Sequence, residues 1–215
     1  MRVLYYYLIV LNGIIWSCNQ VDANHSTNNN PKISKERKAI SDAALSIINP
    51  NITYDPSYFS ISYPNGDIPA NKGVCTDVII RTYRQLGIDL QEKVHIDMQK
   101  HFNLYPKRWG LKHTDTNIDH RRVPNLMRYF SRFGKSLSIS NNANDYQVGD
   151  IVVWNLGGGI LHIGIITAKK NTSHTQYKIL HNIGNGQILE DVLFNWKIIG
   201  HYYYAPKTLN SKKNN

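Results

Sequence analysis

The order of the hydrophobic patterns constrains this chain more than any other feature of its sequence. Before residue 135, apolar residues recur at helical spacing in four segments, 34–49, 75–86, 90–106 and 123–134. From residue 150, short apolar runs separated by Gly- and Asn-rich turns replace them, at 150–155, 161–168, 177–183 and 200–204. Helices followed by strands predict an α+β fold, in which N-terminal helices pack on a small antiparallel sheet.

The two ends of the chain differ in composition from the region between them. Residues 1–18 are apolar but too short and too interrupted for a bilayer span of ~20 residues, so they predict a secretory signal peptide. Its end, "IIWSC", resembles a bacterial lipobox, which would make Cys18 the lipidated first residue; a plain signal peptide cut nearby and an uncleaved anchor are the alternatives. Polar residues 19–32 predict a flexible linker and residues 207–215 a loose tail, which leaves 33–206 as the folded domain.

The formal net charge of +10 favours anionic partners such as nucleic acid, anionic lipid or cell-wall polymer. The sequence contains no run of more than two consecutive Lys or Arg residues, and the charge is spread along the chain. We therefore expect no nucleic-acid partner.

Cysteine usage singles out one thiol. The chain has two cysteines, and export with Cys18 removed or lipidated leaves Cys75 without an intrachain partner. Cys75 is either a buried apolar filler or a reactive group. The stretch "GVCTDVIIRTYRQLG" places it at a helix start, where backbone N–H groups and the macrodipole would lower the thiol pKa and would also bind a developing oxyanion.

A thiol nucleophile needs a base, and two of the nine histidines lie inside apolar strand runs. His162, in "LHIGIITA", shares a strand face with Gly164, which we expect to leave room for a ligand or a helix end. His181 lies in the next strand, in "ILHNIG". The bland alternative is a pair of structural histidines. A zinc site made by Cys75, His162 and His181 is a further alternative, although the sequence has no compact ligand pair of the C-x-x-C kind.

These motifs resemble a known group of enzymes. The succession "GVCTDV", "GDIVVW", "HIGI" and "HNIG" is similar to the papain-like NlpC-type cysteine peptidases of the cell wall. More narrowly, "GVCTDV", "NIDHRRVPNL", "GDIVVW" and "HIGI" resemble the bacterial domain-of-unknown-function family 1287 over about residues 63–204.

The resemblance implies a papain-like NlpC-type fold and an exported hydrolase that cleaves amide bonds of peptidoglycan through a Cys75 thioester. His162 would be the general base and His181 would orient its ring. The expected location is the periplasm or cell envelope, with a lipid anchor in the membrane, no cofactor and a monomeric state. A non-catalytic wall-binding lipoprotein and a thiol acyltransferase remain open alternatives.

Five residues are candidates for substrate contact. Thr76 and Asp77 follow the nucleophile, where the wider superfamily has a different pattern, and Asp77 is alternatively a charge that favours the helix dipole. In "NIDHRR", Arg121 and Arg122 are expected to clamp a substrate carboxylate beside Asp119, and a solvated, salt-bridged loop is the alternative.

Overall fold

The computed structural model describes residues 33–206 of the 215-residue chain. The predicted signal peptide (1–18), the lipidation site Cys18, the linker (19–32) and the tail (207–215) lie outside the described residues. Within the described region, no helix is both long and apolar enough to cross a membrane.

Four α-helices lie in the first two thirds of the described region. Ser34 accepts a hydrogen bond from the Arg37 backbone N–H, as expected of an N-cap. Gly87 has a φ of 75°, which glycine adopts without strain and which ends the second helix. The helices are α1 (Lys35–Ser46), α2 (Cys75–Gln85), α3 (Leu90–Lys100) and α4 (Val123–Phe133).

Six strands form one antiparallel sheet and two form a small parallel pair. The pair is β1 (Thr53–Tyr54) and β2 (Lys72–Gly73). The sheet, in the order β3-β8-β4-β5-β6-β7, contains β3 (Lys135–Ser136), β4 (Asp150–Asn155), β5 (Leu161–Lys170), β6 (Tyr177–His181), β7 (Ile188–Glu190) and β8 (Lys197–Tyr203). The predicted α+β class, with helices first and an antiparallel sheet after them, is confirmed at this level.

The elements that the sequence did not predict are short. Strands β1, β2, β3 and β7 have three residues or fewer, too few to show a period of two. The polar segment 109–122, which lies between the third and fourth predicted helices, contains the short 3-10 helix Asp119–Arg121 and part of another, Arg108–Gly110.

Both faces of the sheet are buried, and each face packs against a different hydrophobic core. Ile163 and Ile165 of β5 face the core that the helices fill, together with Cys75 and Val78 of α2. Ile166 and the residues that alternate with it face a second core, which includes Trp154, Val192 and Leu193. Because side chains alternate along a strand, His162 and Gly164 lie on this second face.

Candidate active site

The Cys75 thiol begins helix α2 and lies at its N-terminal end. Val74 precedes it in an extended conformation, and its backbone N–H donates to Asp77 Oδ2 at 2.7 Å, which closes the first turn. Cys75 is 5% exposed, because α2 packs its apolar stripe directly against the sheet.

Three backbone N–H groups surround the thiol sulfur. Two belong to the helix start, on Cys75 itself and Thr76, and the third belongs to Ile163 on β5. Since Ile163 follows His162 directly in the chain, the contact places the sulfur beside the His162 main chain. The N–H groups form a set of donors that can hold negative charge on sulfur or on a neighbouring oxygen.

The expectation of a lowered thiol pKa is wrong for the substrate-free protein. Burial, the largest cause, and the Asp77 carboxylate raise the pKa of Cys75, and the three N–H groups offset only part of this, so the pKa is about 12. Sequence reasoning correctly placed the helix start, but it could not show how deeply the thiol is buried.

The two strand histidines meet across β5 and β6. His162 Nε2 lies 2.8 Å from His181 Nδ1, a hydrogen bond between two buried rings that meet at 75°. Trp154 stacks on His162, with ring centroids 5.7 Å apart, and Trp196 packs edge-on against both histidines. Aromatic walls on both sides shield the pair from water.

Gly164 has a different role from the one expected. A Cβ atom there would lie 2.7 Å from Ile179 Cγ2 and 3.2 Å from His181 Cβ. The space on this face is therefore occupied by β6 and not by a ligand or a helix end, and glycine is what allows His181 to approach His162.

Glu190 of β7 is a site residue that sequence reasoning missed. Its Oε2 atom lies 2.8 Å from His181 Nε2, a close charge contact without the alignment of a linear hydrogen bond. The signal would have been an acidic residue in a strand paired with the strand of His181, but β7 is only three residues long.

The contacts fix which nitrogen carries each proton. An acceptor cannot face a carboxylate at 2.8 Å, so His181 Nε2 carries a proton and its Nδ1 accepts from His162 Nε2–H. His162 Nδ1 is then the unprotonated nitrogen. Among residues 33–206, no hydrogen bond joins it to the thiol. Burial, followed by the His181 charge, lowers the pKa of His162 to about 3, so thiol and imidazole are both neutral at rest.

The thiol opens on a cleft of about 470 Å³. Three aromatic residues line it, Tyr54, Tyr58 and Trp109, and Trp109 is 53% exposed. Trp154, in contrast, is fully buried in the core. An open cleft with aromatic walls beside a thiol is a suitable shape for binding an extended ligand.

The structure does not leave Asp77 and Arg121 free for a substrate. The Arg121 guanidinium binds the Asp77 carboxylate through two hydrogen bonds, of 2.9 and 3.1 Å, and both side chains are buried. The expected clamp of two arginines therefore loses one member to an internal ion pair. Thr76 lines the cleft, but its hydroxyl donates to the Arg121 carbonyl at 3.0 Å.

Of the two remaining candidates for substrate contact, Arg122 reaches the cleft and Asp119 does not. Asp119 is fully buried, does not line the cleft, and accepts the Asp115 backbone N–H at 2.6 Å. Burial raises the pKa of its carboxyl to about 6. Arg122 does line the cleft, and its guanidinium lies 3.8 Å from the centre of the Trp109 ring.

Within the described region, no group of three or more His, Cys, Asp or Glu residues has a metal-binding arrangement. One ring nitrogen of His162 and one of His181 are hydrogen-bonded to each other.

Comparison with known proteins finds a relative by sequence and, among solved structures, a chain of distantly similar structure. The Uncharacterized protein YijF of Escherichia coli K12 is 50% identical over 169 residues, 79% of this chain and 82% of that protein. A solved structure from Staphylococcus aureus Mu50, described as similar to a lipoprotein of the NLP/P60 family, is 15% identical with a TM-score of 0.40. The comparison covers 80% of this chain, which spans only 42% of the length of that protein.

The family model for the domain of unknown function DUF1287 matches residues 41–204, most of the chain. The protein therefore belongs to the DUF1287 family.

Proposed function

We propose that this protein is a cysteine hydrolase of the cell envelope that cleaves amide bonds in the peptides of peptidoglycan. The observation that carries the proposal is the position of the Cys75 thiol, at a helix start, in an open cleft and against the main chain beside His162. His162 is the base in this proposal, and His181 is the residue that positions its ring.

The protonation states at rest determine the order of events. A thiol with a pKa of about 12 and an imidazole with a pKa of about 3 do not form a stable ion pair. In this proposal the His162 ring therefore turns toward the cleft and takes the proton as sulfur attacks the carbonyl carbon. The carbonyl oxygen becomes an oxyanion, which accepts hydrogen bonds from the backbone N–H groups at the start of α2. The C–N bond then breaks, His162 returns the proton to the leaving amine, and water cleaves the thioester to a carboxylate.

The choice of substrate and location rests on the sequence. The chain carries a net charge of +10, which suits an acidic wall polymer, and its motifs resemble the papain-like NlpC-type peptidases. We therefore propose that the fold is of the papain-like NlpC type and that the substrate is a peptidoglycan peptide. We also propose that the protein is exported, monomeric and anchored to the membrane through a lipid on Cys18.

The test is digestion of purified sacculi, followed by mass spectrometry of the released muropeptides. Wild type should release fragments whose masses identify the cleaved bond, and Cys75→Ala should release none. His162→Gln should behave as Cys75→Ala does, while both variants keep the wild-type circular dichroism spectrum. Equal release by wild type and Cys75→Ala would refute the mechanism.

A second candidate, a wall-binding protein without catalysis, is favoured by one observation. Burial keeps the thiol neutral, and no hydrogen bond reaches it from His162 in the region that the structure describes. Co-sedimentation with sacculi and no released fragment, for wild type and Cys75→Ala alike, would support this candidate. An acyltransferase with the same thioester would be recognised by products that have gained an amine.

A further inference from the structure

The arginines of residues 33–206 fall into two sets. Five have a carboxylate partner, in the pairs Arg37–Asp150, Arg81–Asp67, Arg84–Asp67, Arg121–Asp77 and Arg132–Asp97. In this same region, the other three guanidinium groups, those of Arg108, Arg122 and Arg128, have neither a hydrogen bond nor an ion pair. Arg122 interacts electrostatically with Asp119 and Asp115 but contacts neither carboxylate. Three arginines without a direct carboxylate contact, in a region that pairs the other five, need an explanation.

All three line two adjoining clefts. Arg122 lines the cleft beside Cys75, Arg128 lines a second cleft of about 510 Å³, and Arg108 lines both. The clefts also share Pro124, Gly159 and Leu161. They are therefore two parts of one depression, which we call the arginine groove.

Two of these arginines hold polar atoms that nothing satisfies. The Nε atoms of Arg122 and Arg128 are buried and lack a partner in the described structure. A buried donor without an acceptor is unfavourable, and a guanidinium presents its N–H groups as a fork that fits a carboxylate. A ligand with carboxylates at matching positions would supply acceptors for these guanidinium groups, which line the clefts and have no hydrogen bond within the described structure.

The walls of the arginine groove indicate what joins those carboxylates. Trp109 stacks under Arg122 and has a φ of 66°, a left-handed conformation that is strained for tryptophan. Met127, Ile199 and Tyr202 line the second part. Concave apolar walls with a few separated cations suit a peptide, whereas a nucleic acid would meet a continuous basic surface.

We propose that the arginine groove binds an acidic peptide in extended form, with one carboxylate at Arg122 beside the thiol and another at Arg128, and with Arg108 between them. The proposal deepens the function proposed above and rests on it, because it names the substrate chemistry of the same cleft.

The test measures binding separately from cleavage. In a Cys75→Ala background, calorimetry would follow muropeptides released from sacculi by a muramidase, and the same mixture with its carboxylates converted to amides. We expect the native mixture to bind at least about 10-fold more tightly than the amidated one. Arg108→Gln, Arg122→Gln and Arg128→Gln should each weaken binding about 10-fold.

Lys169→Gln is the matched control, because it removes one exposed positive charge on β5 outside the groove. It should change affinity by less than about twofold, the scale of a surface charge. Where a glutamine variant fails to fold, Arg→Lys at that position takes its place and should still weaken binding, since lysine lacks the bidentate fork.

Equal affinity for native and amidated muropeptides, or equal effects of Lys169→Gln and the three groove variants, would overturn the proposal. Equally tight, arginine-dependent binding of polyphosphate would also overturn it, because the ligand would then be a phosphate polymer. Wild-type cleavage of the native mixture is assayed in parallel. Binding that depends on the three arginines, without cleavage, would refute the proposed hydrolase activity and support the proposed peptide-binding groove. Cleavage without such binding would support the hydrolase activity and refute the groove.

Discussion

Glu190 determines the direction of the proton chain in the candidate site. Its carboxylate lies 2.8 Å from His181 Nε2, and His181 Nδ1 lies 2.8 Å from His162 Nε2. Without the carboxylate, either nitrogen of His181 could carry the proton, and the proton of His162 could lie on Nδ1 instead of Nε2. A single side chain on a three-residue strand thus keeps Nδ1 of His162, the base in the proposed mechanism, unprotonated.

We predict that Glu190→Ala lowers kcat for muropeptide cleavage about 10- to 100-fold and leaves KM unchanged, as is typical when the partner that orients a functional histidine is lost. Asp191→Ala is the matched control, because Asp191 is the neighbouring carboxylate and contacts Asn171 and Gln176 instead. It should retain wild-type kcat. Nitrogen-15 NMR of the histidines gives a second readout, and unchanged tautomers of His162 and His181 in Glu190→Ala would contradict the positioning role.

At the scale of elements, a buried ion pair connects the start of α2 to the 3-10 helix Asp119–Arg121. Asp77 closes the first turn of α2 through the Val74 N–H and also binds the Arg121 guanidinium. The side chains are 1% and 2% exposed, so removal of either partner leaves an uncompensated charge away from water. The pair thereby holds the cleft wall at Arg121 against the helix that carries Cys75.

Arg121→Met should therefore lower the free energy of unfolding by about 3–5 kcal/mol, measured by urea denaturation. The double variant Asp77→Asn/Arg121→Met should recover most of the loss, because no buried charge remains and the asparagine oxygen still accepts the Val74 N–H. Lys38→Met removes one partner of the exposed Lys38–Asp42 pair and should cost no more than about 1 kcal/mol. A double variant as unstable as Arg121→Met would show that the loss has another cause.

The same pair shows what the sequence could and could not predict. Strand β4 has the predicted bounds and α2 begins at Cys75 as predicted, because both have clear local periods and turn signals. Arg121 and Arg122 are adjacent in sequence, yet one is inside an ion pair and the other faces a cleft. Which of the two arginines forms the ion pair depends on the position of helix α2, which is distant in sequence. No local sequence pattern encodes that position. For the same reason the burial of Cys75, which reverses its expected pKa shift, became visible only in three dimensions.

At the scale of the whole molecule, the buried neutral histidines make stability depend on acidity. Burial lowers the pKa of both His120 and His162 to about 3, and it also lowers that of His181. In the unfolded chain these groups protonate near pH 6.5. Between pH 6.5 and 3 the unfolded state therefore binds more protons than the folded state, and stability is lost as the pH falls. Asp119 acts in the opposite direction between about pH 4 and 6, because burial raises its pKa to about 6 and the folded state favours its neutral form.

We predict that the free energy of unfolding falls between pH 6.5 and 4.5, with His120 and His162 each contributing about 1.4 kcal/mol per pH unit. His120→Gln should reduce the slope by about that amount, whatever its effect on stability at pH 7, because the replacement does not titrate. Asn144→Gln replaces an exposed side chain that does not titrate, so it is the control and should leave the slope unchanged. Urea titrations at several pH values, followed by tryptophan fluorescence, measure these slopes directly. An unchanged slope in His120→Gln would mean that the folded protein protonates His120 as readily as the unfolded chain does.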